Sequence, residues 1–314
     1  MLKIQLFGSV QIALDQQSIN LRPAAQNLLA FLVLYHRHHF AQTGYRRDIL
    51  TDQLWHEHDE KQARRCLSTT LWRLRQQLEA ETNFRGAFIS TMAAGEIAFN
   101  FDSDHWVDAI DFETKVVAGL AVTLEEMDGA QARLLEDARQ LYRGDLLEGN
   151  YSDWIIHERE RLNLLYLKCL TRLMQYYDRC GRHEESVSCG QAILAVDPLR
   201  EQVHRHLMWT YAKSGQRILA ARQYKWCEKA LADELGILPM AETQMLFAQI
   251  CTTAVPIELP SIPAEPTAVS AVAESGSLQH ALQQLKIVMQ DLDRLQTQIQ
   301  QVRQIITQLG ASAG

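Results

Sequence analysis

Apolar residues near the amino terminus first alternate with polar residues. Ile4 and Leu6 lie two positions apart, and Val10, Ile12 and Leu14 repeat the same spacing. Side chains on a β-strand alternate between its two faces, so this period predicts two short strands within residues 1–21. The apolar spacing then changes to that of helices.

Three helices are predicted between residues 22 and 79. Pro23 is suited to a first helical turn and precedes the helical repeat Leu28, Phe31, Leu32 and Tyr35. A second helix fits residues 47–55, with Ile49, Leu50 and Leu54 facing the core. The third begins near Asp59, a suitable N-cap with Gln62 three positions on. Its apolar stripe consists of Leu67, Leu71, Leu74 and Leu78.

Two short apolar runs follow the third helix. Residues 88–91 and 97–99 flank a turn at Gly95 and predict a β-hairpin. The order of strands, three helices and hairpin is typical of a winged helix-turn-helix. We therefore predict a first domain over residues 1–105.

Residues 106–254 have a helical pattern throughout. Tyr177 and Tyr211 are separated by 34 positions, as are Gly181 and Gly215, which is the tetratricopeptide period. This pattern predicts a tetratricopeptide-like α-helical array, in which each helix pair buries its apolar face against its neighbours. The whole chain is therefore predicted to be mainly α.

The carboxyl-terminal part predicts a linker and a coiled coil. Residues 255–277 contain four of the seven prolines and read as a Pro-rich linker. Residues 278–310 then carry apolar positions at alternating four- and three-residue steps, which predicts a coiled-coil helix and a homo-oligomer. The predicted oligomerisation positions are Leu285, Met289, Leu292, Leu295, Ile299, Val302, Ile306 and Leu309.

Composition narrows the class of protein. The chain has 314 residues and a net charge of -7, which excludes a globally basic nucleic-acid binder but permits a local basic patch. Residues 1–105 hold 11 basic and 11 acidic side chains, so the excess negative charge lies in the remainder. No run of 18 apolar residues is present, and the six cysteines are scattered, so we expect a cytoplasmic protein with no membrane contact.

The polar face of the third helix carries the strongest chemical signal. Arginine matches guanine edges and phosphate oxygens, and an α-helix fits the major groove of double-stranded DNA. The alternative is an ordinary solvated helix face. Two interpretations of Trp72 stay open: its ring contacts DNA, or it packs against the second domain. The predicted DNA-binding residues are Lys61, Arg64, Arg65, Ser68, Thr69, Trp72, Arg73 and Arg75.

Several motifs together resemble a known family. Residues 48–55 and 63–78 resemble the OmpR-type DNA-binding domain, and residues 106–112, 141–147, 154–162 and 231–239 resemble the bacterial transcriptional activator domain. Their order is similar to that of the AfsR/SARP transcriptional activators. The resemblance implies a sequence-specific regulator that binds repeated promoter elements and contacts RNA polymerase. It places groove reading on Arg65, Ser68, Thr69, Trp72 and Arg73, and leaves Arg75 to contact phosphate or to brace the fold.

The chain departs from the family pattern in its wing. Residues 91–99 contain no Lys or Arg, and Glu96 repels phosphate. Fewer phosphate contacts weaken DNA binding, so we expect a low affinity per protomer that self-association offsets. Larger family members continue into a nucleotide-binding module. Here the linker and the coil follow instead, and no nucleotide switch is expected.

The sequence predicts no enzyme. The common phosphate-binding and nucleophile motifs are absent, so we expect no catalytic residues and no cofactor. Histidines at 36, 38, 39, 56 and 58 could hold a metal but fit a polar helix end and loop better, and Cys180, His183 and Cys189 fit helix packing better, so no metal site is predicted. Two other functions stay open. One is a protein-interaction scaffold with a degenerate winged helix, and the other is a tetratricopeptide-type ligand sensor.

Overall fold

The computed structural model describes residues 1–34, 44–79, 86–92 and 95–252. The predicted linker at 255–277, the predicted coil at 278–310 with its eight oligomerisation residues, and the histidines at 36–39 lie outside these described residues. Within them the protein is mainly α, as predicted, with ten helices and six short strands.

The first part of the chain holds the strands and three of the helices. The strands are β1 (Leu2–Gln5), β2 (Gln11–Leu14), β3 (Gln17–Ser18), β4 (Ile89–Thr91), β5 (Ile97–Phe99) and β6 (His105–Val107). The helices are α1 (Pro23–Leu34), α2 (Arg47–Trp55) and α3 (Glu60–Leu78).

Seven further helices follow without an intervening strand. They are α4 (Asp108–Leu120), α5 (Gly129–Leu141), α6 (Asp153–Arg179), α7 (His183–Val196), α8 (Glu201–Lys213), α9 (Arg217–Leu235) and α10 (Ala241–Thr252).

The amino-terminal sheet has four strands in the order β3-β2-β1-β6. β1 pairs antiparallel with β2, where Ile4 lies opposite Ile12, and pairs parallel with β6, where Ile4 lies opposite Val107. The sequence pattern predicted only two of these four strands. It missed β3 because that strand is two residues long, and it missed β6 because that strand lies far away in the chain. The predicted domain boundary between residues 105 and 106 falls inside β6.

Helices α1 to α3 enclose an apolar core beside this sheet. Phe31 of α1, Leu50 of α2 and Leu67 and Leu74 of α3 are all buried. The prediction that Ile49 faces the core was wrong, since its side chain is 36% exposed. The short helix α2 turns Leu50 inward, and on an α-helix the adjacent position points about 100° away.

The amino-terminal sheet and the helical array pack against each other and share one apolar core. The buried carboxylate of Asp108, the first residue of α4, accepts hydrogen bonds from the amides of Leu6 at 2.8 and 2.9 Å and of Phe7 at 3.1 Å. The rings of Phe31 and Trp154 meet edge to face at 5.2 Å. These contacts link α1 and the strand segment to α4 and α6, so neither part has a core separate from the other.

Two turns of the helical array are equivalent. Gly181 after α6 and Gly215 after α8 both adopt positive φ, at 71° and 79°. The residue after each glycine donates its amide to a tyrosine carbonyl five positions earlier, at 2.8 Å from Arg182 to Tyr177 and at 2.7 Å from Gln216 to Tyr211. The 34-residue spacing therefore joins positions of the same backbone geometry.

Candidate nucleic-acid interface

Helix α3 separates an apolar face from a polar one. Its N-cap is Asp59, whose carboxylate accepts the amide of Gln62 at 2.8 Å, so the predicted start is confirmed. The four leucines of its predicted stripe, Leu67, Leu71, Leu74 and Leu78, are all buried. Their packing fixes the rotation of the helix and turns its other side to solvent.

Seven of the eight residues predicted to bind DNA lie on the exposed side. Trp72 is 61% exposed, and it lines a pocket together with Arg22 and Ala25 at the start of α1. Arg64 forms an ion pair with Glu60 one turn earlier, at 2.6 Å. The exposed set consists of Lys61, Arg64, Arg65, Ser68, Thr69, Trp72 and Arg73.

Arg75, the eighth residue, is half-buried and braces the fold. Its Nη2 donates to the carbonyl of Ile89 at 3.0 Å and to the hydroxyl of Thr91 at 2.6 Å. Its Nε reaches the same carbonyl of Ile89 at 3.3 Å. These bonds attach α3 to β4. Of the two roles that the resemblance left to Arg75, the structure places it in the brace.

Glu79 makes a second connection that the sequence pattern did not predict. It follows α3 directly, is buried, and accepts amides from Gly86 at 3.1 Å, Phe88 at 3.0 Å and Ile89 at 2.9 Å. A carboxylate that accepts several amides fixes the backbone that donates them. Arg75 and Glu79 therefore hold the hairpin against the end of α3.

The hairpin β4–β5 is also attached to the start of α2. Tyr45 exchanges two backbone hydrogen bonds with Ile97, at 2.8 and 2.9 Å. At the turn, Gly95 donates to Met92 at 2.9 Å. The hairpin is therefore attached both to the start of α2 and to the carboxyl-terminal part of α3, and Glu96 is its only charged residue.

Two arginines that were not predicted join this surface. Arg46 and Arg47 lie at the start of α2 and are exposed, and Arg47 Nη1 donates to the hydroxyl of Ser68 at 3.4 Å. Arg46 pairs with Asp48 at 2.6 Å. Together with Arg64 they line a shallow groove between α2, α3 and the hairpin. The signal in the sequence was a pair of adjacent arginines at the start of a helix, where backbone N–H groups also attract anions.

Other kinds of site find little support in the described ranges. No group of three or more His, Cys, Asp or Glu residues is placed there to hold a metal ion. A search of the same residues finds no helix of the length and apolar character needed to span a bilayer.

Comparison with known proteins identifies the helical array. Residues 107–251 match the family model described as the bacterial transcriptional activator domain. The regulatory protein AfsR of Streptomyces coelicolor is 29% identical over 251 residues, which cover 79% of this chain. The chain carries a bacterial transcriptional activator domain and is similar to the AfsR/SARP-type transcriptional regulators. The resemblance predicted from its motifs is confirmed.

Other AfsR/SARP-type relatives match over most of their length. The transcriptional regulatory protein MoaR1 of Mycobacterium tuberculosis is 25% identical over 258 residues, which are 77% of this chain and 79% of MoaR1. The regulatory protein DnrI of Streptomyces peucetius is 28% identical over 203 residues, which are 63% of this chain and 74% of DnrI. By contrast, the match spans only 24% of AfsR.

A solved structure shares the fold of this chain. Mycobacterium tuberculosis EmbR, in a complex with a low-affinity phosphopeptide, aligns with a TM-score of 0.63 at 21% identity. The alignment covers 80% of this chain and 65% of EmbR.

Proposed function

We propose that this protein is a sequence-specific DNA-binding activator of transcription whose helix α3 enters the major groove. One observation carries the proposal: the exposed side of α3 presents cationic and hydrogen-bonding side chains, while its leucine side is sealed in the core. A helix held in this way offers base-reading groups at fixed spacing. The match to the bacterial transcriptional activator domain and the similarity to regulatory proteins support the same proposal.

The polar face divides by the chemistry of its side chains. Arg65 and Arg73 lie on the solvent side and suit guanine edges, while Ser68 and Thr69 suit base edges or sugar-phosphate oxygens. Trp72, with most of its ring in water, suits thymine methyl groups or sugars. These five residues form the proposed base-reading set.

Phosphate contacts fall to the margins of that set. Lys61 and Arg64 lie in the first two turns of α3, and Arg46 and Arg47 lie at the start of α2 across the groove. Cations on both sides of the reading helix position it on the duplex without specifying sequence. Such a local basic region is compatible with the net charge of -7 of the whole chain.

Self-association and a polymerase contact complete the proposal. The wing lacks Lys and Arg, so a single protomer makes few phosphate contacts there. Two linked protomers on repeated elements raise the effective concentration of each reader. The heptad positions within residues 278–310 are proposed to link copies, and the helical array is proposed to contact RNA polymerase.

The decisive experiment uses genomic DNA. Purified protein is incubated with sheared DNA of the source organism at two ionic strengths, and bound fragments are footprinted. We expect repeated elements that the wild type protects and that an Arg65→Ala/Arg73→Ala variant does not. The matched control is Arg133→Ala/Lys168→Ala, which removes the same charge from exposed positions of α5 and α6.

Failure of that experiment has a defined meaning. If the α3 variant protects the same sites as the wild type, α3 is not the reading helix. If no site is protected even at the lower ionic strength, the protein-interaction scaffold becomes the better description.

The link between copies is tested separately. Deleting residues 278–314 is expected to reduce the molar mass measured by light scattering, because the heptad positions are lost. An unchanged mass would remove the coil from the proposal while leaving DNA binding untouched.

A further inference from the structure

The outward face of α9 carries large apolar side chains that no described residue covers. Ile218 is 73% exposed and Trp226 is 60% exposed, two turns apart on the same side of the helix. The opposite side of α9 packs against α8 and α10. An aromatic ring held mostly in water at the middle of a well-packed helix is typical of a contact surface.

Charges on this face are divided along the helix. Arg222 and Lys229 lie on the same side as Trp226, while Asp233 and Glu234 follow in the last turns. All four are exposed, and none forms an ion pair with another described residue, whereas nearby Lys225 pairs with Glu228 at 2.7 Å. The face therefore has a basic part and an acidic part.

Apolar exposure continues past the acidic end. Helix α9 ends at Gly236, which adopts a left-handed conformation with φ of 67°. Ile237 and Leu238 follow in the loop and are exposed by more than half of their surface. Both ends of the α9 face thus present apolar side chains, Ile218 at one end and this pair at the other.

These properties match a second copy of the same surface turned end to end. We propose that two copies of this protein associate by packing their α9 faces together in antiparallel orientation. With the twofold axis beside the midpoint between residues 227 and 228, Arg222 lies opposite the second copy's Asp233. Each contact between helical positions occurs twice, as in any isologous interface.

Charge selects this orientation over the alternative. In a parallel pair, Arg222 would face the same arginine and Asp233 the same aspartate, and like charges at such short range repel. The antiparallel pair places unlike charges together at both ends. It also sets Trp226 opposite the second copy's Lys229, where a cation over an indole ring is favourable.

The pairing is independent of the predicted coil and of DNA. Its residues lie within residues 217–238, in the described part of the chain, and none belongs to the proposed reading face. The test therefore uses full-length protein without DNA, so loss of the pairing and loss of DNA binding are separate results.

The experiment asks which positions meet between copies. Two full-length proteins are made in a background in which the exposed Cys180 and Cys251 are changed to serine. One carries Arg222→Cys and the other Asp233→Cys. Mild oxidation of the mixture is expected to give a covalent heterodimer, because the two positions lie opposite each other within disulfide reach.

Each protein alone provides the internal control. In the proposed register, position 222 lies eleven residues along the axis from position 222 of the second copy, about 16 Å at the helical rise per residue. A disulfide cannot span that separation. Each protein oxidised alone is therefore expected to give several-fold less covalent dimer than the mixture.

A matched variant tests whether any exposed cysteine would react. Tyr151→Cys is exposed but lies in the loop before α6, away from the α9 face. Mixed with Asp233→Cys, it is expected to give no more dimer than either protein alone. Equal yields from this control, equal yields from the single proteins, or no dimer in the original mixture would each overturn the proposal.

A second measurement examines the central ring. Trp226→Ala is expected to weaken self-association at least about tenfold, since buried Trp residues are frequent hot spots of interfaces. Sedimentation equilibrium measures the change in the chain without residues 278–314, where the predicted coil cannot link copies, and circular dichroism checks folding. The cysteine experiment keeps Trp226 and so decides the matter if this variant does not fold.

Discussion

Asp108 and Leu6 are joined by two hydrogen bonds, at 2.8 and 2.9 Å, across 102 positions of sequence. Burial raises the pKa of the Asp108 carboxyl, and the amides of Leu6, Phe7 and Ala109 oppose that rise. The carboxylate is therefore the acceptor that ties the strand segment of the first sheet to the start of α4.

Asp108→Asn is expected to lower the free energy of unfolding by about 1–3 kcal/mol. The amide group of asparagine keeps one acceptor oxygen but turns a donor toward backbone N–H groups, which leaves buried donors unpaired. Urea unfolding monitored by circular dichroism measures the loss. Asp137→Asn removes an exposed carboxylate of α5 and is expected to change stability by less than about 0.5 kcal/mol. Equal stability of the two variants would contradict the role given to Asp108.

Alanine variants at Arg75 and Arg73 are expected to differ in unfolding free energy although both residues lie on α3. Arg75→Ala removes bonds to Ile89 and Thr91 and is expected to cost about 1–2 kcal/mol of unfolding free energy. Arg73→Ala removes an exposed side chain, so its stability is expected to stay within about 0.5 kcal/mol of the wild type. Thermal denaturation compares them. If Arg75→Ala were as stable as Arg73→Ala, the hydrogen bonds of Arg75 would not contribute to the stability of the fold.

The salt dependence of DNA binding tests whether the arginines at the start of α2 contact phosphate. Arg47→Ala is expected to weaken binding to all sequences and to reduce the slope of log affinity against log salt by about one, as loss of one phosphate contact does. Fluorescence anisotropy at several salt concentrations measures that slope. Lys168→Ala on α6 is the control and is expected to leave it unchanged. An unaltered slope for Arg47→Ala would place that residue off the duplex.

The buried pair Asp178 and His206 predicts a pH effect on stability. Burial raises the pKa of Asp178, but His206, Ser186 and His183 together outweigh that effect, and the pKa lies below its ordinary value of 3.8. A carboxyl with a depressed pKa stabilises the fold above the unfolded value and loses that contribution as pH falls through the folded one.

Asp178→Asn is therefore expected to be less stable than the wild type near pH 6, with the difference narrowing below about pH 4. Urea unfolding across this range measures both proteins. A difference that is constant with pH would show that the pair contributes through packing alone.

Local patterns predicted the helices of the first domain closely. Residues 47–55 form α2 as predicted, Asp59 caps α3, and the two strands of the hairpin lie on either side of Gly95. Each of these rests on a short-range signal: an apolar repeat, a capping side chain or a turn residue. The leucine stripe of α3 predicted its buried side, and seven of the eight residues predicted to bind DNA are exposed, whereas Arg75 is half-buried.

Contacts between distant parts of the chain could not be predicted in this way. The parallel pairing of β1 with β6 and the acceptance of Gly86, Phe88 and Ile89 amides by Glu79 depend on the assembled fold. Likewise, the sequence could not say that Arg75 turns toward β4 while Arg73 turns to solvent. Those choices follow from packing around residues far away in the chain.

The sheet that β6 completes has a directional consequence. Because α3 and the helical stack share one core, the direction of α3 in a groove would also fix the direction in which the stack leaves that groove. Under the proposed function, two copies on elements of the same orientation would point their stacks the same way along the duplex. Two copies on inverted elements would point their stacks in opposite directions.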